Sequence, residues 1–302
     1  NELPPSYLHN RAALLSIHGN IIYTKGDVRE GLALLKKAEQ IFRQEKDSYG
    51  LNLTLVRRAT AFRFLGDYAA SLKDADEVIQ STQSSDDMRV LYAEAMRLKG
   101  LVLFRLGKAR ESISYLERAL DIFQLNDKTM IPVLLMETGM AYRATGNFSD
   151  AGRSYEKALQ IRRQDGSLSW QASLLNNMGV MYHIQGEYEK AVYAFEEGLL
   201  CAQRSRLTRL EILISIGLGE LFAELADFNL AEQNFHYASE VLQGTQDRFL
   251  SYSLAVARIN LALLRRDAES ARLILGDTQT VVKNNSSAYE SGILGLLQAR
   301  LS

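Results

Sequence analysis

The sequence predicts an all-α solenoid of about seven helix pairs with one further helix at its end, and three observations carry that prediction. A turn residue recurs at spacings of 39 to 41 residues, at Gly26, Gly66, Gly107, Gly146, Gly186, Ala226 and Arg266. A fixed period in this range marks stacked supersecondary units. Residues of matching size also return at fixed offsets around each turn, with the three-, four- and seven-residue intervals of a helix face. Finally, only 3 of the 302 residues are proline while 47% are apolar, which suits a nearly all-helical chain with a continuous core.

Each unit reads in the same order. Seven positions before the turn stand Gly19, Ala59, Gly100, Gly139, Gly179, Gly219 and Ile259. Four before it stand Ile22, Phe62, Leu103, Tyr142, Tyr182, Phe222 and Ala262. After the turn, small residues at the fifth position (Gly31 to Ala271) precede large ones at the ninth: Leu35, Ala75, Leu116, Tyr155, Phe195, Phe235 and Leu275. The spacing predicts a helix, a tight turn and a second helix, with the small residues letting two backbones approach. A helix-interior glycine costs roughly 1 kcal/mol against alanine. Glycine recurring at one register position therefore points to a steric demand at the crossing.

Repeats are expected near residues 8–45, 47–83, 86–124, 128–164, 168–204, 207–244 and 247–284, with a terminal helix at 287–301. Asp27, Asp67, Asn147, Asp227 and Asp267 directly follow the turn and can accept from free N–H groups of the second helix. Lys108 and Glu187 break that rule, so those two helices must start without it. Pro132 falls in a first helical turn, where its missing N–H does little harm. The terminal helix is apolar on much of its circumference, unlike a polar solenoid cap. The array is therefore expected to continue, or to meet another domain, as a piece of a longer protein.

Composition excludes some functions. A net charge of −1 gives no global pull toward nucleic acid or an anionic membrane. No stretch reaches the roughly 18 apolar residues of a membrane helix. The single Cys201 excludes an internal disulfide and suits a reducing, cytoplasmic compartment.

The set Gly139, Tyr142, Gly146–Asn147–Phe148, Ala151, Tyr155 and Ala158 resembles the tetratricopeptide repeat, as does Gly179, Tyr182, Gly186–Glu187–Tyr188, Ala191 and Phe195. That family's usual period is about 34 residues, so the longer period here implies longer helices. The resemblance covers almost the whole chain, and the seventh repeat departs furthest from it. Long repeats of this kind look like those in the sensor regions of bacterial signal-transduction ATPases, in peptide-sensing regulators, kinesin light chains and cell-polarity adaptors. The stretch Leu15–Gln44 looks most like the first of these, the maltose-activator type. The resemblance implies a right-handed α-α superhelix in which each pair's first helix lines a concave groove.

On that face the resemblance places residues ten, nine, six, three and two positions before each turn. Repeats two to four then offer Arg57, Arg63, Arg97, Arg105 and Arg143, with Glu137 among them; later repeats offer Asn176, Asn177, His183, Glu220 and Glu224, and Asn20 and Asn260 flank the set. Arginine forks hold carboxylates or phosphates in fixed geometry. Asparagine can donate and accept toward a ligand backbone. The alternative is an ordinary solvated helix surface. Arg57 and Arg97 are expected in one stretch of wall, replaceable with little loss of stability.

Catalytic signatures are missing. His9, His18, His183 and His236 stand in no metal-binding spacing. Cys201 has no partner thiol or evident base. Glu220 and Glu224 lie one turn apart on one helix, whereas acid–base carboxyls face each other across a cleft. Trp170 reads either as a packing residue between repeats or as a groove anchor. The resemblance implies a non-enzymatic binding region, the sensor of a bacterial signal-transduction ATPase or transcriptional regulator. It would bind a peptide or protein segment, or a small-molecule inducer, and contact neighbouring domains. No cofactor, metal, membrane or direct nucleic-acid contact is expected. The alternative is an adaptor holding a peptide in the groove.

Overall fold

Helices dominate the computed structural model, which describes residues 8–245, 247–282 and 288–301 and has no strand among them. In chain order these are α1 Leu8–Thr24, α2 Val28–Glu45, α3 Ser48–Leu65, α4 Tyr68–Thr82, α5 Arg89–Arg105, α6 Ala109–Asn126, α7 Ile131–Ala144 and α8 Phe148–Gln164. They continue as α9 Leu168–Ile184, α10 Tyr188–Arg204, α11 Thr208–Glu224, α12 Phe228–Leu242, α13 Arg248–Leu264, α14 Ala268–Val282 and α15 Ala288–Leu301. The turns read from the sequence therefore separate real helix pairs. Two first helices start three residues later than their repeats: short 3₁₀ turns at Asp86–Met88 and Lys128–Met130 precede α5 and α7. Pro132 has no N–H and sits in the first turn of α7, while Asp127 accepts from the Thr129 N–H of the 3₁₀ turn.

The chain divides into two compact units, Asn1–Ala158 and Leu159–Ser302, with the division inside α8. In the first unit α1 packs on α2 and α3, α3 on α4 and α5, and α5 on α6 and α7. In the second, α9 packs on α10 and α11, α11 on α12 and α13, and α14 on α13 and α15. Within each unit, first helices therefore neighbour first helices and form one wall.

The packing glycines have the role their register predicts. A Cβ on Gly139 would stand 2.6 Å from Cε1 of Tyr155, and one on Gly179 would stand 2.5 Å from Cδ1 of Phe195. Gly219 meets the Phe235 ring in the same way, and a Cβ on Gly100 would lie 2.8 Å from Cγ of Leu116. The large side chain nine positions after the turn is thus a knob seated on the bare backbone seven positions before it. Tyr155, Phe195, Phe235, Leu116 and Leu35 are all fully buried. In the seventh repeat Ile259 and Leu275 replace glycine and ring, and both remain buried.

The turns close each first helix through left-handed backbone. At Gly146 (φ 79°) its own N–H and that of Asn147 return to the carbonyls of Arg143 and Tyr142, each at 3.0 Å. Ala226 and Arg266 take the same conformation at φ 60° although they carry a Cβ. The capping residues accept as expected: the N–H groups of Glu30, Ala70, Leu230 and Ser270 donate to Asp27, Asp67, Asp227 and Asp267. Asn147 accepts from Asp150 at 3.3 Å. The helices after Lys108 and Glu187 start without a side-chain cap. On the terminal helix Leu294, Leu297 and Leu301 are buried in a cluster with Tyr252, Ile259 and Leu275, while Leu296 stays exposed.

Two outcomes follow for stability. Gly179→Leu should destabilise by about 1–3 kcal/mol or more, because Phe195 is fully buried and leaves the new side chain no room. Ala226→Gly should raise the melting temperature, since a non-glycine residue in left-handed backbone costs roughly 1–2 kcal/mol. Thermal unfolding followed by circular dichroism checks both, and an unchanged midpoint for Gly179→Leu contradicts the knob-and-hole packing.

Candidate functional site

Regular stacking has a consequence for side chains on the first-helix wall. A residue ten before one turn meets the residue nine before the next, and a residue three before meets one two before. In the first unit Arg57 Nη1 donates to Ser16 Oγ at 2.8 Å, and Arg97 forks onto Glu137 at 2.7 and 2.6 Å. The rings of Tyr23 and Phe64 lie 6.1 Å apart by the second rule. In the second unit His183 Nε2 stands 3.0 Å from Glu224 Oε2.

Arg97 is already engaged. Its third contact, from Nη1, reaches Glu94 at 3.2 Å. Burial works against the charge of Arg97, but Glu137 and Glu94 hold the guanidinium above its ordinary value. Glu137 keeps only 9% of its side-chain surface and Arg97 17%. The expectation that Arg97 is replaceable with little loss of stability is therefore corrected, because it forms a buried ion pair inside the wall, while Arg57 turns to Ser16.

Arg63 and Arg105 differ. Arg63 Nε is buried without a hydrogen-bond partner, and its guanidinium lies 4.7 Å from the centroid of the Phe64 ring. Burial draws Arg63 below its ordinary value, and the charges of Arg97 and Arg105 push the same way while Glu137 opposes. Burial also lowers Arg57. Among the described residues no carboxylate pairs with Arg57, Arg63 or Arg105. Beside them Phe64 is exposed over 59% of its surface. Arg143, one repeat on, has a buried unpartnered Nε and lies near the hydroxyl of Tyr155; burial pushes that hydroxyl up and the Arg143 charge opposes.

In the second unit Asn176 and Asn177 are half-buried on α9, with no side-chain hydrogen bond to a described residue. His183 and Glu220 line a cavity of about 430 Å³ with Glu224, Asn260, Arg300 and a floor of Ala223, Ala257, Leu261, Leu263 and Leu264. Glu220 is open to solvent yet walled by protein, and burial pushes its carboxyl above the usual range; His183 opposes and Glu224 adds to it. Arg300, Leu263 and Leu264 were not foreseen as lining residues. Leu263 and Leu264 stand three and two before their turn, so the register alone could have named them.

Elsewhere the chemistry is quiet. Among the described residues no group of His, Cys, Asp or Glu could hold a metal, and no helix is long and apolar enough to cross a membrane. The side chain of His9 lies outside the described residues. Burial raises the Cys201 thiol, which makes it a poor nucleophile at neutral pH. Trp170 is exposed, and the Arg162 guanidinium stands 5.0 Å from its ring centroid.

Residues 93–294 match the MalT-like TPR region and residues 50–125 the tetratricopeptide repeat. The first match covers about two thirds of the chain, and the chain belongs to that family. The fold is similar to that of a tetratricopeptide repeat protein from Parabacteroides merdae, with a TM-score of 0.66, 14% identity, and coverage of 96% of this chain and 99% of that one. It is also similar to the apo form of RapI (TM-score 0.70, 15% identity, 90% and 99% coverage). A third likeness is to a Rap protein complexed with competence and sporulation factor (TM-score 0.68, 13% identity, 100% and 88% coverage). At these identities the likeness is one of fold. Repeats of this type are generally a binding and scaffold fold.

Arg97→Ala should destabilise the protein by about 3–5 kcal/mol, because it strands the buried Glu137 carboxylate. Adding Glu137→Leu to it should recover much of that loss. Denaturant unfolding of the single and double variants measures it, and a single variant as stable as the parent overturns the ion-pair assignment.

Proposed function

We propose that this member of the MalT-like TPR region family is a non-enzymatic binding module whose residues 1–302 form one solenoid domain of a larger cytoplasmic regulator. The parent is a bacterial signal-transduction ATPase controlling transcription, and this region is its sensor. The reading rests on family membership for the class of parent and on the wall of the first unit for the binding chemistry.

One observation carries the binding assignment. Arg57, Arg63 and Arg105 lie on the first-helix wall with no carboxylate paired to them among the described residues, beside the exposed ring of Phe64. Packing alone does not favour this arrangement: it desolvates Arg63 and sets it near two like charges. A carboxylate or phosphate on a partner segment would relieve both costs, with Phe64 supplying apolar contact. Asn20, which accepts from the Tyr23 hydroxyl at 2.8 Å, keeps its amide N–H groups for the partner's backbone. A fold-level relative captured with a bound factor supports this use of the scaffold. In the parent, the partner must bind one state better than another, since only a difference in affinity moves an equilibrium.

A fluorescein-labelled hexaglutamate peptide serves as probe for the anionic group. It should bind the parent chain in low salt and weaken as salt rises. Arg63→Ala should weaken binding by roughly 1.5–3 kcal/mol, as for a desolvated charge-assisted bond, and Arg105→Ala by less because that side chain is exposed. Equal fluorescence anisotropy titrations for the parent and the Arg63→Ala/Arg105→Ala variant would falsify the assignment.

A further inference from the structure

The cavity of the second unit differs in chemistry from the arginine wall. Two carboxylates, Glu220 and Glu224, stand one turn apart on α11, and the amide of Asn260 faces the same space from α13. The Ala257, Leu261, Leu263 and Leu264 side chains supply an apolar floor. Its volume of about 430 Å³ falls within the range of small-ligand sites. Glu220 has no hydrogen bond or ion pair from a described residue. One Glu224 oxygen faces His183 Nε2 at 3.0 Å, leaving the other oxygen open.

We propose that this cavity is a binding site for a primary alkylammonium group, with the ammonium between Glu220, Glu224 and Asn260 and the carbon chain on the leucine floor. An ammonium carries three N–H donors and no acceptor. The cavity offers three acceptor groups in return: the Glu220 carboxylate, the free oxygen of Glu224 and the Asn260 carbonyl. The Arg300 guanidinium lines the same cavity from α15 and repels a second positive charge, so a single ammonium on an apolar stem suits the site best. This chemistry has two sources, a lysine side chain on a partner segment or a free aliphatic amine.

The electrostatics agree with the geometry. Burial holds the Glu220 carboxyl above its usual range, and the adjacent Glu224 charge acts the same way. A bound cation removes that penalty. The titratable groups around the site are His183 on α9, Glu220 and Glu224 on α11, and Arg300 on α15. As pH falls toward the carboxylate range, Glu220, whose carboxyl burial holds above its usual range, takes up a proton and ceases to attract a cation. Affinity for an ammonium should therefore fall on acidification.

Isothermal titration of the full chain with Nα-acetyl-lysine amide, n-butylammonium, spermidine and Nα-acetyl-norleucine amide tests the assignment. The first two should bind, and norleucine amide, which has the stem without the charge, should not. Glu220→Gln should lower ammonium affinity about tenfold or more, and Glu224→Gln should also lower it. Circular dichroism confirms that the variants are folded. A stronger response to the lysine amide than to butylammonium assigns a partner side chain, and the reverse assigns a free amine. Equal binding of norleucine and lysine amides, preference for spermidine over both monoamines, or unchanged affinity in both Glu variants overturns the proposal. Arg63→Ala should leave these titrations unaltered, which separates this site from the arginine wall.

Discussion

The rest of the architecture depends on the contact between the bare backbone seven positions before each turn and the side chain nine positions after it. Glycine there costs roughly 1 kcal/mol of helix propensity, and the buried ring or leucine it admits contributes about 1.5–3 kcal/mol. The exchange is one of volume. Gly139 takes Tyr155, Gly179 takes Phe195, Gly100 takes Leu116, Ala59 is matched with Ala75, and Ile259 with Leu275, all of them buried. The seventh repeat departs from the glycine pattern, and its Ile259 and Leu275 are buried in one apolar cluster with the terminal helix. Interiors packed to crystal density tolerate swaps that conserve volume and resist those that do not.

Within each unit a fixed crossing fixes the register of one first helix against the next, and that register decides which face residues meet. Serine meets arginine at Ser16 and Arg57, arginine meets glutamate at Arg97 and Glu137, and histidine meets glutamate at His183 and Glu224. The same rule sets Arg63 near Arg105, where like charges meet. In the first three cases the wall satisfies itself. The fourth breaks the local rule that opposite charges stack, and a local violation without an internal compensation is where functional demand is to be sought.

Most of the fold was legible because its signal is repeated. The turn with its helical offsets occurs seven times, so accidents at one repeat, such as Lys108 or Glu187 in a capping position, do not erase it. The face was less legible, and for a physical reason. Knowing that Arg97 lies on the wall does not reveal that its guanidinium is spent on Glu137, since that depends on a neighbour 40 residues away. The pairing offset was present in the sequence all along: complementary residues about one period apart, ten before one turn and nine before the next. Reading single positions against a solvated surface missed it, and the same omission hid Leu263 and Leu264 as cavity residues. Arg300 belongs to the terminal helix, outside the repeat, and no periodic argument reaches it.

Average charge is a poor guide to such a molecule. The net charge of −1 says nothing global about partners, yet it averages a guanidinium-rich wall in one unit with a carboxylate-lined cavity in the other. Core positions of a repeat are held to a volume by the crossing, whereas face positions answer only to their stacked neighbours and to whatever they bind. At the column six before each turn the chain runs Asn20, Thr60, Leu101, Met140, Val180, Glu220, Asn260, from amide through apolar to carboxylate and amide again. Nothing in the knob-and-hole packing requires that order. A repeat scaffold can therefore carry opposite chemistries on the first-helix walls of its two units without any change in its core, and Glu220 can keep an unpaired carboxylate because the crossing at Gly219 and Phe235 does not depend on it.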